Sequence, residues 1–489
     1  MARRSFAALA FALAASAAAA PGAAVFSIDA FGAVAGADTH AAALANGAAL
    51  AAAIAAANAT GAAASVLVPA ASTYAFLPAA PFLSGLVNLT ILLEGELALF
   101  TSNFSEWWPG YAAREPWMPL RFADCAGLRI VSQGGAGRVS GRGTQWWWST
   151  ILGGRDIRPR AVLEVDGAAG LEVANITLTN APMFHVNVVA STGVLVQGVT
   201  VLVDLEDQVA VYRYIAALEE GEGEAAAKRD RFSRVLRAAS RIGPTAPEHE
   251  AEAEALARRS PAQVRAARRA LLPAHFSAAR HSWFDEAWRI DPPFPMIYAL
   301  NTDGIDVAGV GIVVRNCSVT NFDDTVCAKP QLNCTRDLLV EDILVTWGCG
   351  LSMGSVPPDE GNNCISGVLV RNVTFESPMK AVYVKPNPQK PDSLARGEIS
   401  NVTYQDMLVN EPLWWPVWFG TQQQHQPGYN GTGCVGTQSR PPCACTVRLA
   451  RCFRCARTNR TFEHSSTRAE LLVSTGQHDV SDGPAGERL

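Results

Sequence analysis

Three aspartates mark the part of this sequence whose residue types and spacing could support acid–base chemistry. Asp303 lies in an Asn-Thr-Asp-Gly stretch, and the adjacent pair Asp323 and Asp324 ends 21 residues later. Carboxyl groups gathered in one place repel each other when ionised, so at least one of their pKa values rises. A neutral carboxylic acid beside ionised carboxylates can donate a proton while a neighbour activates water, as glycosidic hydrolysis requires.

The same residues have structural interpretations that the three aspartates alone leave open. Asn and Asp side chains form ladders in the turns of repeating folds, and clustered carboxylates also bind calcium. Which interpretation applies depends on the elements that carry the aspartates and on further motifs around them.

The elements around the aspartates are short, rich in β-branched residues and repetitive. The unit recurs as LEVANITLTN, VLVQGVTVLV, IVVRNCSVTN, LLVEDILVTW and VLVRNVTFES, with its Asn position filled by Asn175, Gly198, Asn316, Asp342 and Asn372. Several intervals lie in the twenties, a period that indicates a solenoid. We therefore predict an all-β fold, a right-handed parallel β-helix with β-branched residues inside each coil. A β-sandwich is the alternative, but the hairpin turns that it needs are scarce.

This fold explains the spacing of the aspartates. One coil takes about 20–25 residues, so Asp303 and Asp324 should stack on adjacent coils. Neighbouring strand residues point to opposite faces, and a turn at Asp323 would let both members of the pair face one groove.

The sequence divides into a leader, a β-rich body and a tail. Residues 1–20 have the basic start, apolar centre and small-residue end of a secretory signal peptide. The β-helix is predicted over residues 25–430, interrupted by a charged, alanine-rich helical insertion at 206–288. Residues 431–489 form an irregular tail whose cysteine spacings fit disulfides better than a zinc site.

The composition argues against two classes of binding partner, nucleic acid and membrane. The net charge of −5 provides no basic field for nucleic acid. We expect no membrane partner, because no segment after the leader looks long and apolar enough to span a bilayer. Frequent Asn-x-Ser/Thr sites and eleven cysteines agree with secretion and glycosylation.

Further motifs decide between the interpretations of the aspartates. They are Asn301–Asp303, Asp323–Asp324, Gly348–Ser355 and Tyr383–Lys385. In order and spacing they resemble the Asn-Thr-Asp, Asp-Asp, Gly-His-Gly-x-Ser-x-Gly-Ser and Arg-Ile-Lys signatures of glycoside hydrolase family 28, the polygalacturonase family. The resemblance covers about residues 25–205 and 290–430.

The resemblance implies a right-handed parallel β-helix that hydrolyses pectin with inversion at the anomeric carbon. By position, Asp323 is the general acid, and Asp303 and Asp324 hold and activate the water. Lys385 would bind a galacturonate carboxylate, and Asn301 would help to fix the acidic cluster. We expect a monomer that needs no metal and no cofactor, with pectic polysaccharide as its substrate.

Two positions depart from the family pattern. Cys349 replaces the family's histidine, and a thiol holds and tunes protons poorly. Tyr383 replaces its arginine, which removes a bidentate carboxylate clamp but offers a ring for sugar stacking. The substrate could therefore be rhamnogalacturonan, or the protein could bind glycan without cleaving it. A lyase of the same architecture is a third alternative, although it would usually use calcium and a basic residue.

Other residues favour structural roles. His185 is predicted to be packed or capping rather than catalytic. The tryptophans could be sugar-stacking platforms, but such residues more often fill a core or close a coil; they are Trp146–Trp148, Trp414, Trp415 and Trp418.

Overall fold

The computed structural model describes residues 24–144, 146–147, 157–203, 301–331, 334–356, 362–376, 378–386, 396–410, 412, 416–419, 446–449 and 470–476. The predicted signal peptide, the predicted helical insertion and the cysteines of the predicted tail lie outside the described residues, as do Trp148, Trp414 and Trp415.

The described elements are mostly strands. The helices are η1 (Ile28–Phe31, a 3-10 helix), α1 (His40–Asn58) and α2 (Phe104–Trp107). The strands of the N-terminal half are β1 (Ala24–Ser27), β2 (Ala64–Val68), β3 (Thr73–Phe76), β4 (Leu83–Ser84), β5 (Leu89–Leu93), β6 (Glu96–Leu99), β7 (Leu120–Ala123), β8 (Arg129–Val131), β9 (Arg138–Ser140), β10 (Ala161–Asp166), β11 (Ala169–Ala174), β12 (Thr177–Thr179), β13 (Phe184–Gln197) and β14 (Thr200–Leu202). The later strands are β15 (Ile305–Asn321), β16 (Val326–Ala328), β17 (Thr335–Trp347), β18 (Leu351–Val356), β19 (Asn362–Glu376), β20 (Val382–Pro386), β21 (Arg396–Asn410), β22 (Val417–Phe419), β23 (Thr446–Leu449) and β24 (Glu470–Gly476).

Each strand pairs with a strand from the next coil. One continuous series runs β7, β10, β13, β15, β16, β18, β20 and β22, and every step in it is parallel. The long strand β13 pairs with β10 through its first half and with β11 through its second half, so it bends from one sheet into the next. This arrangement confirms the predicted parallel β-helix and leaves no place for the sandwich.

Aliphatic side chains fill the interior in columns that run from coil to coil. One column contains Val186, Ile305, Val326, Leu351 and Val382, each at most 2% exposed. Burying a side chain of this size contributes about 1.5–3 kcal/mol, so such columns dominate the stabilisation of the coils. Alternate residues of the same strands point away from this interior.

The repeated Asn position has a conformational cause. Asn175, Gly198, Asn316, Asp342 and Asn372 all have φ between 51° and 60°. Asn, Asp and Gly adopt this left-handed conformation at lower cost than other residues. The repeat seen in the sequence therefore marks one bend in each of these coils.

Helix α1 covers the first coil. Thr39 caps its N-terminus by accepting a hydrogen bond from the Ala42 amide at 3.2 Å. By length and composition this helix could cross a membrane, which corrects the expectation that no segment after the leader could. Half of that span is buried, and it packs on η1 and on strands β1–β3, as a core helix does.

Two strands lie within residues 431–489, where the sequence predicted an irregular tail. β24 pairs antiparallel with both β21 and β23. At these two strands the structure differs from the prediction, because an exposed coil edge offers unpaired backbone groups to any nearby extended segment.

Candidate active site

The three predicted aspartates meet on one side of the coil stack. Ile305 pairs with Val326, a shift of 21 residues, and the Gly304 amide donates to the Asp324 carbonyl oxygen at 2.8 Å. One carboxylate oxygen from each of Asp303, Asp323 and Asp324 lies within 4.8 Å of the other two. The sequence prediction that one coil separates these residues is thus matched by the strand register.

Asp303 is fixed through its backbone by His185. The Ala181 amide donates to His185 Nε2 at 3.3 Å, so Nε2 carries the lone pair and Nδ1 carries the hydrogen. His185 Nδ1 therefore donates to the Asp303 carbonyl oxygen at 2.9 Å, alongside the His185 amide at 2.9 Å. The ring is fully buried, and burial lowers its pKa to about 4, so it stays neutral. His185 is packed, as predicted.

The Asp303 carboxyl group is only partly satisfied. Its Oδ2 lies 3.4 Å from Lys329 Nζ, whereas the buried Oδ1 has no hydrogen-bond partner among the described residues. Burial, followed by the charges of Asp323 and Asp306, raises the pKa of Asp303 well above its usual value. An unpartnered buried oxygen of this kind is suited to a water or a substrate hydroxyl.

Asp323 is the most accessible of the three aspartates. Its side chain is half-buried, while Asp303 and Asp324 are 3% and 1% exposed. Its Oδ1 accepts a hydrogen bond from the Asp324 amide at 2.9 Å. Burial and then the charge of Asp324 raise the pKa of Asp323, so this group favours the neutral acid.

Asp324 has the opposite electrostatics. The Ser352 hydroxyl donates to its Oδ1 at 2.7 Å, Lys329 Nζ lies 3.4 Å from its Oδ2, and Lys385 Nζ also contacts Oδ2. Burial alone would raise the pKa of Asp324, but the charges of Lys385 and Lys329 outweigh it and hold the pKa well below its usual value. Asp324 is therefore the carboxylate of the cluster.

The turn that carries the aspartate pair depends on Asn321, which the sequence analysis did not single out. Its amide group donates to the carbonyl oxygens of Thr302, Asp323 and Asp324 at 2.9, 3.0 and 2.8 Å. This side chain ties the last residue of β15 to both aspartate-bearing segments. It lets both members of the pair face the same cluster, as the sequence predicted a turn would.

Two predicted binding residues have different partners from those expected. Asn301 accepts a hydrogen bond from Arg158 Nη2 at 3.1 Å, and Arg158 Nη1 also donates to the Pro182 carbonyl oxygen at 2.9 Å. Lys385 is 5% exposed and pairs with Asp324. Its predicted role toward a substrate carboxylate stays a prediction.

Cys349 and Tyr383 belong to a buried cluster beside the aspartates. They are 3% and 4% exposed, and the rest of this cluster is Trp147, Val203, Phe322, Trp347, Met379 and the partly buried Trp418. Burial raises the pKa of Cys349 to about 12, so its thiol is neutral. Lys380 and Lys385 lie with Nζ 4.1 and 4.8 Å from the centre of the Tyr383 ring. Two lysines thus lie against the ring of the tyrosine that replaces the family's arginine.

Trp146 and Trp147 are both buried. Trp146 is fully buried among Phe104, Trp108 and Tyr111. Trp147 donates through its ring nitrogen to the Ala181 carbonyl oxygen at 3.1 Å. Both residues therefore have the core role that the sequence analysis favoured.

The glycine motif brings its strand close to the cluster. Gly348 and Gly350 have φ of 35° and 81°, and a Cβ atom on Gly350 would lie 2.4 Å from the Ala381 carbonyl oxygen. Only glycine fits such a close approach in this conformation. The peptide bond between Gly354 and Ser355 is cis.

The carboxylates are close enough together for a cation to bind them. However, Lys329 and Lys385 already contact their oxygen atoms, so the positive charge that the cluster needs comes from the chain itself. We assign no metal ligand here.

The protein is thus a parallel β-helix with three aspartates clustered on adjacent coils. Residues 290–425 match the family model Glycosyl hydrolases family 28, the family that the motifs resemble.

Curated relatives match a limited part of the chain. A probable endo-xylogalacturonan hydrolase A from Aspergillus fumigatus is 33% identical over 110 residues, covering 22% of this chain and 26% of the relative. Exopolygalacturonase X-1 from Emericella nidulans is 29% identical over 126 residues, covering 24% and 28%. The match thus spans about a quarter of the length of these relatives.

Among solved structures, the endo-xylogalacturonan hydrolase from Aspergillus tubingensis aligns with a TM-score of 0.47 and 19% identity. The alignment covers 74% of this chain and 70% of that one.

Proposed function

We propose that this protein is a glycoside hydrolase that cleaves α-glycosidic bonds in a pectin-type polysaccharide. The observation that carries the proposal is the meeting of Asp303, Asp323 and Asp324 within 4.8 Å, with Lys329 and Lys385 on Asp324, an arrangement that displaces the pKa values of Asp323 and Asp324 in opposite directions. A neutral acid next to a carboxylate is the pair that acid–base hydrolysis of a glycosidic bond needs.

In the proposed mechanism Asp323 protonates the leaving oxygen, since it is the accessible aspartate with the raised pKa. Asp324 stays ionised and, with Asp303, holds the attacking water. Asp303 Oδ1 is the oxygen without a partner among the described residues, so it is the natural acceptor for a hydrogen of that water. Water then attacks the anomeric carbon as the bond to the protonated leaving oxygen breaks, and the Asp324 carboxylate takes up the proton that the water loses.

Inversion at the anomeric carbon follows from the family resemblance and from direct displacement by water. The nearest oxygens of the three carboxyl groups lie within 4.8 Å, closer than the roughly 6.5–9.5 Å between the carboxyl groups of most inverting enzymes. Inversion with this geometry requires the water to sit beside two aspartates rather than in a wide gap between acid and base. Proton NMR of the first product anomer tests this, and a retained anomer would contradict it.

The relatives' names suggest which substrates to test first. They are an endo-xylogalacturonan hydrolase, an exopolygalacturonase and a rhamnogalacturonase. All three names concern galacturonate-containing polymers. We therefore propose a galacturonate-containing backbone as the substrate class.

Secretion is part of the proposal. The leader-like residues 1–20, the Cys334–Cys364 disulfide and the exposed acceptor asparagines support an oxidising, glycosylating route. The exposed acceptors in the described residues include Asn88, Asn103, Asn175, Asn372 and Asn401. Mass spectrometry of protein from a eukaryotic host would test both leader removal and glycan attachment.

A second candidate is a β-helix that binds acidic glycan without cleaving it. It is favoured by Cys349 and Tyr383, which replace two polar residues of the family pattern with members of a buried, largely apolar cluster.

One experiment separates the candidates. Purified protein is incubated with polygalacturonate, xylogalacturonan and rhamnogalacturonan, and reducing ends and unsaturated products are measured. The hydrolase releases reducing ends without unsaturated product, whereas a lyase releases unsaturated product and a binding protein releases neither. Asp323→Asn should lower the rate by about 10²–10⁴-fold without unfolding the protein. Asp342→Asn, at an exposed bend, is the matched control and should leave the rate unchanged.

A further inference from the structure

Lys329 occupies a central position in the acidic cluster. Its Nζ lies 3.4 Å from Asp303 Oδ2, 3.4 Å from Asp324 Oδ2 and 3.1 Å from Asp306 Oδ2. These three carboxyl groups come from adjacent coils, so one ammonium group links the two coils that carry the proposed mechanism.

Asp306 is a fourth acidic residue next to the three predicted aspartates. It lies on β15 and is fully buried; its Oδ2 lies 3.1 Å from Lys329 Nζ, and its Oδ1 has no hydrogen-bond partner among the described residues. Burial raises the pKa of Asp306, and the charge of Lys329 offsets part of that rise, which leaves the pKa at about 6. A buried carboxyl group with one cationic neighbour is costly to maintain unless that pairing has a use.

The backbone of Lys329 is held on both sides. The Lys329 amide donates to the Val307 carbonyl oxygen at 2.8 Å, and the Lys329 carbonyl oxygen accepts a hydrogen bond from the Thr335 hydroxyl at 2.6 Å. Its ammonium also lies 5.7 Å from the centre of the Phe184 ring. The side chain keeps 29% of its accessible surface, so substitutions at the tip have room to relax.

We propose that Lys329, paired with Asp306, is a positioning residue that fixes the carboxyl groups of Asp303 and Asp324 for hydrolysis. This inference rests on the proposed function. Lys329 contacts Oδ2 of each aspartate, which leaves the buried Asp303 Oδ1, without a partner among the described residues, to accept a hydrogen bond from the attacking water. Asp306 supplies a charge for Lys329 that stays in place when Asp303 takes up a proton.

The need for a cation at this position depends on how many carboxylates lie close together. Carboxylates a few ångströms apart repel strongly where water is scarce. A cation between them offsets that repulsion and selects which oxygen of each group faces the substrate. Burial would lower the pKa of Lys329, but the charge of Asp306, followed by those of Asp303 and Asp324, raises it well above the usual value.

Kinetics of Lys329→Met and Lys329→Arg test the catalytic part. The Met variant should lose about 100-fold or more in kcat with little change in KM, because substrate contacts remain. The Arg variant should recover part of that loss. Arg371→Met is the matched control, since it removes an exposed cation 2.8 Å from Glu341 and should leave kcat unchanged.

The pH profile separates positioning from simple destabilisation. The charged and titratable groups that interact with Lys329 are Asp303, Asp306, Asp323, Asp324, Cys327 and Lys385. Without Lys329 the carboxylate form of Asp324 loses one of its two cations, so the acidic limb of the kcat/KM profile should move to higher pH. An unmoved limb together with unchanged kcat would overturn the inference.

A stability measurement tests the pair without relying on activity. Melting temperatures of Lys329→Met, Asp306→Asn and the double variant are compared at pH 7. Coupled residues should give a double variant more stable than the sum of the two losses predicts, whereas additive losses would refute the pairing. Wild-type protein inactive on all three polymers overturns the proposed function and the catalytic part of this inference, while the melting data still decide whether the pair exists.

Discussion

Asp323 and Asp324 are neighbours in the chain, yet their pKa values are displaced in opposite directions. The difference comes from the partners of Asp324, one on the same coil and two on later coils. Asp324 contacts Lys329, Lys385 and the Ser352 hydroxyl, whereas Asp323 accepts a backbone hydrogen bond and faces outward. The pKa of a carboxyl group in this pair therefore depends on residues up to 61 positions away.

Cys349 permits a direct test of the departure from the family pattern. Its amide donates to the Asp323 carbonyl oxygen at 2.6 Å, so its side chain lies near the proposed acid. Cys349→His should raise kcat, because an imidazole can exchange a proton beside Asp323. It should also lower stability by about 1–3 kcal/mol, since a larger ring must enter a filled cluster.

The control for this exchange is Cys349→Ser, which introduces a hydroxyl of similar size and no basic group. Steady-state kinetics and thermal unfolding of the two variants are measured together. If the histidine variant is folded and no faster than the serine variant, the missing imidazole does not limit this site.

His185 should make stability depend on pH in a defined window. Its folded pKa of about 4 lies below the unfolded value near 6.5, so the unfolded chain binds the extra proton between these limits. The contribution is complete above about pH 6.5 and is lost as pH falls toward 4, a change of about 3 kcal/mol. The stability advantage of wild type over His185→Gln should shrink across this range in denaturant titrations. An advantage that stays constant would show that His185 titrates normally.

At the scale of single elements, the strands fix which residues can meet. The glycine turn before β18 brings Gly350 so close to the next coil that a methyl group has no space. Gly350→Ala should therefore destabilise the protein by about 2 kcal/mol or more and reduce activity, because φ is positive and the Cβ atom meets backbone.

Gly135→Ala is the matched control for Gly350→Ala. Gly135 also has a positive φ of 72°, but a Cβ atom there would meet nothing within 4 Å. The difference in melting temperature and in rate between the two variants isolates the close approach. Equal effects would mean that backbone conformation alone is responsible.

Strand register was the element-scale property that the sequence predicted well. The 21-residue spacing and the repeated bends follow from local chain geometry, which depends on the residue types at each position. The partners of Asn301 and Lys385 were not predictable in the same way. Arg158 lies 143 positions before Asn301, and its choice of partner depends on packing across coils. The roles of Lys329 and Asp306 were not predictable from the sequence, because a single Lys or Asp near a strand is not part of a periodic pattern.

At the scale of the whole molecule, α1 closes one end of the coil stack. Its Asn46 is buried and accepts a hydrogen bond from the Val34 amide at 2.6 Å. It also donates to the carbonyl oxygens of Val34 and Ala75 at 3.1 and 2.7 Å. End caps of this kind keep the first strands from pairing with other chains.

Asn46→Leu should therefore lower stability and increase self-association, because three backbone groups lose their partner and the cap loosens. Each lost buried partner costs about 1–3 kcal/mol. Ala48→Leu, on the exposed face of the same helix, adds similar bulk and should change neither property. Thermal unfolding and light scattering check both variants, and an equally soluble, equally stable Asn46→Leu protein would show that the cap is dispensable.

The pairing of β13 with β15 has a consequence for how the two halves of the molecule are joined. Val186 pairs with Ile305, and His185 contacts Asp303 across 118 positions of sequence. The bonds across this seam are non-covalent and repeat along both strands. The peptide bonds that connect the halves are therefore not what aligns them. Two separately synthesised polypeptides, divided within that interval, would carry complementary edges and could rebuild the cluster by fragment complementation.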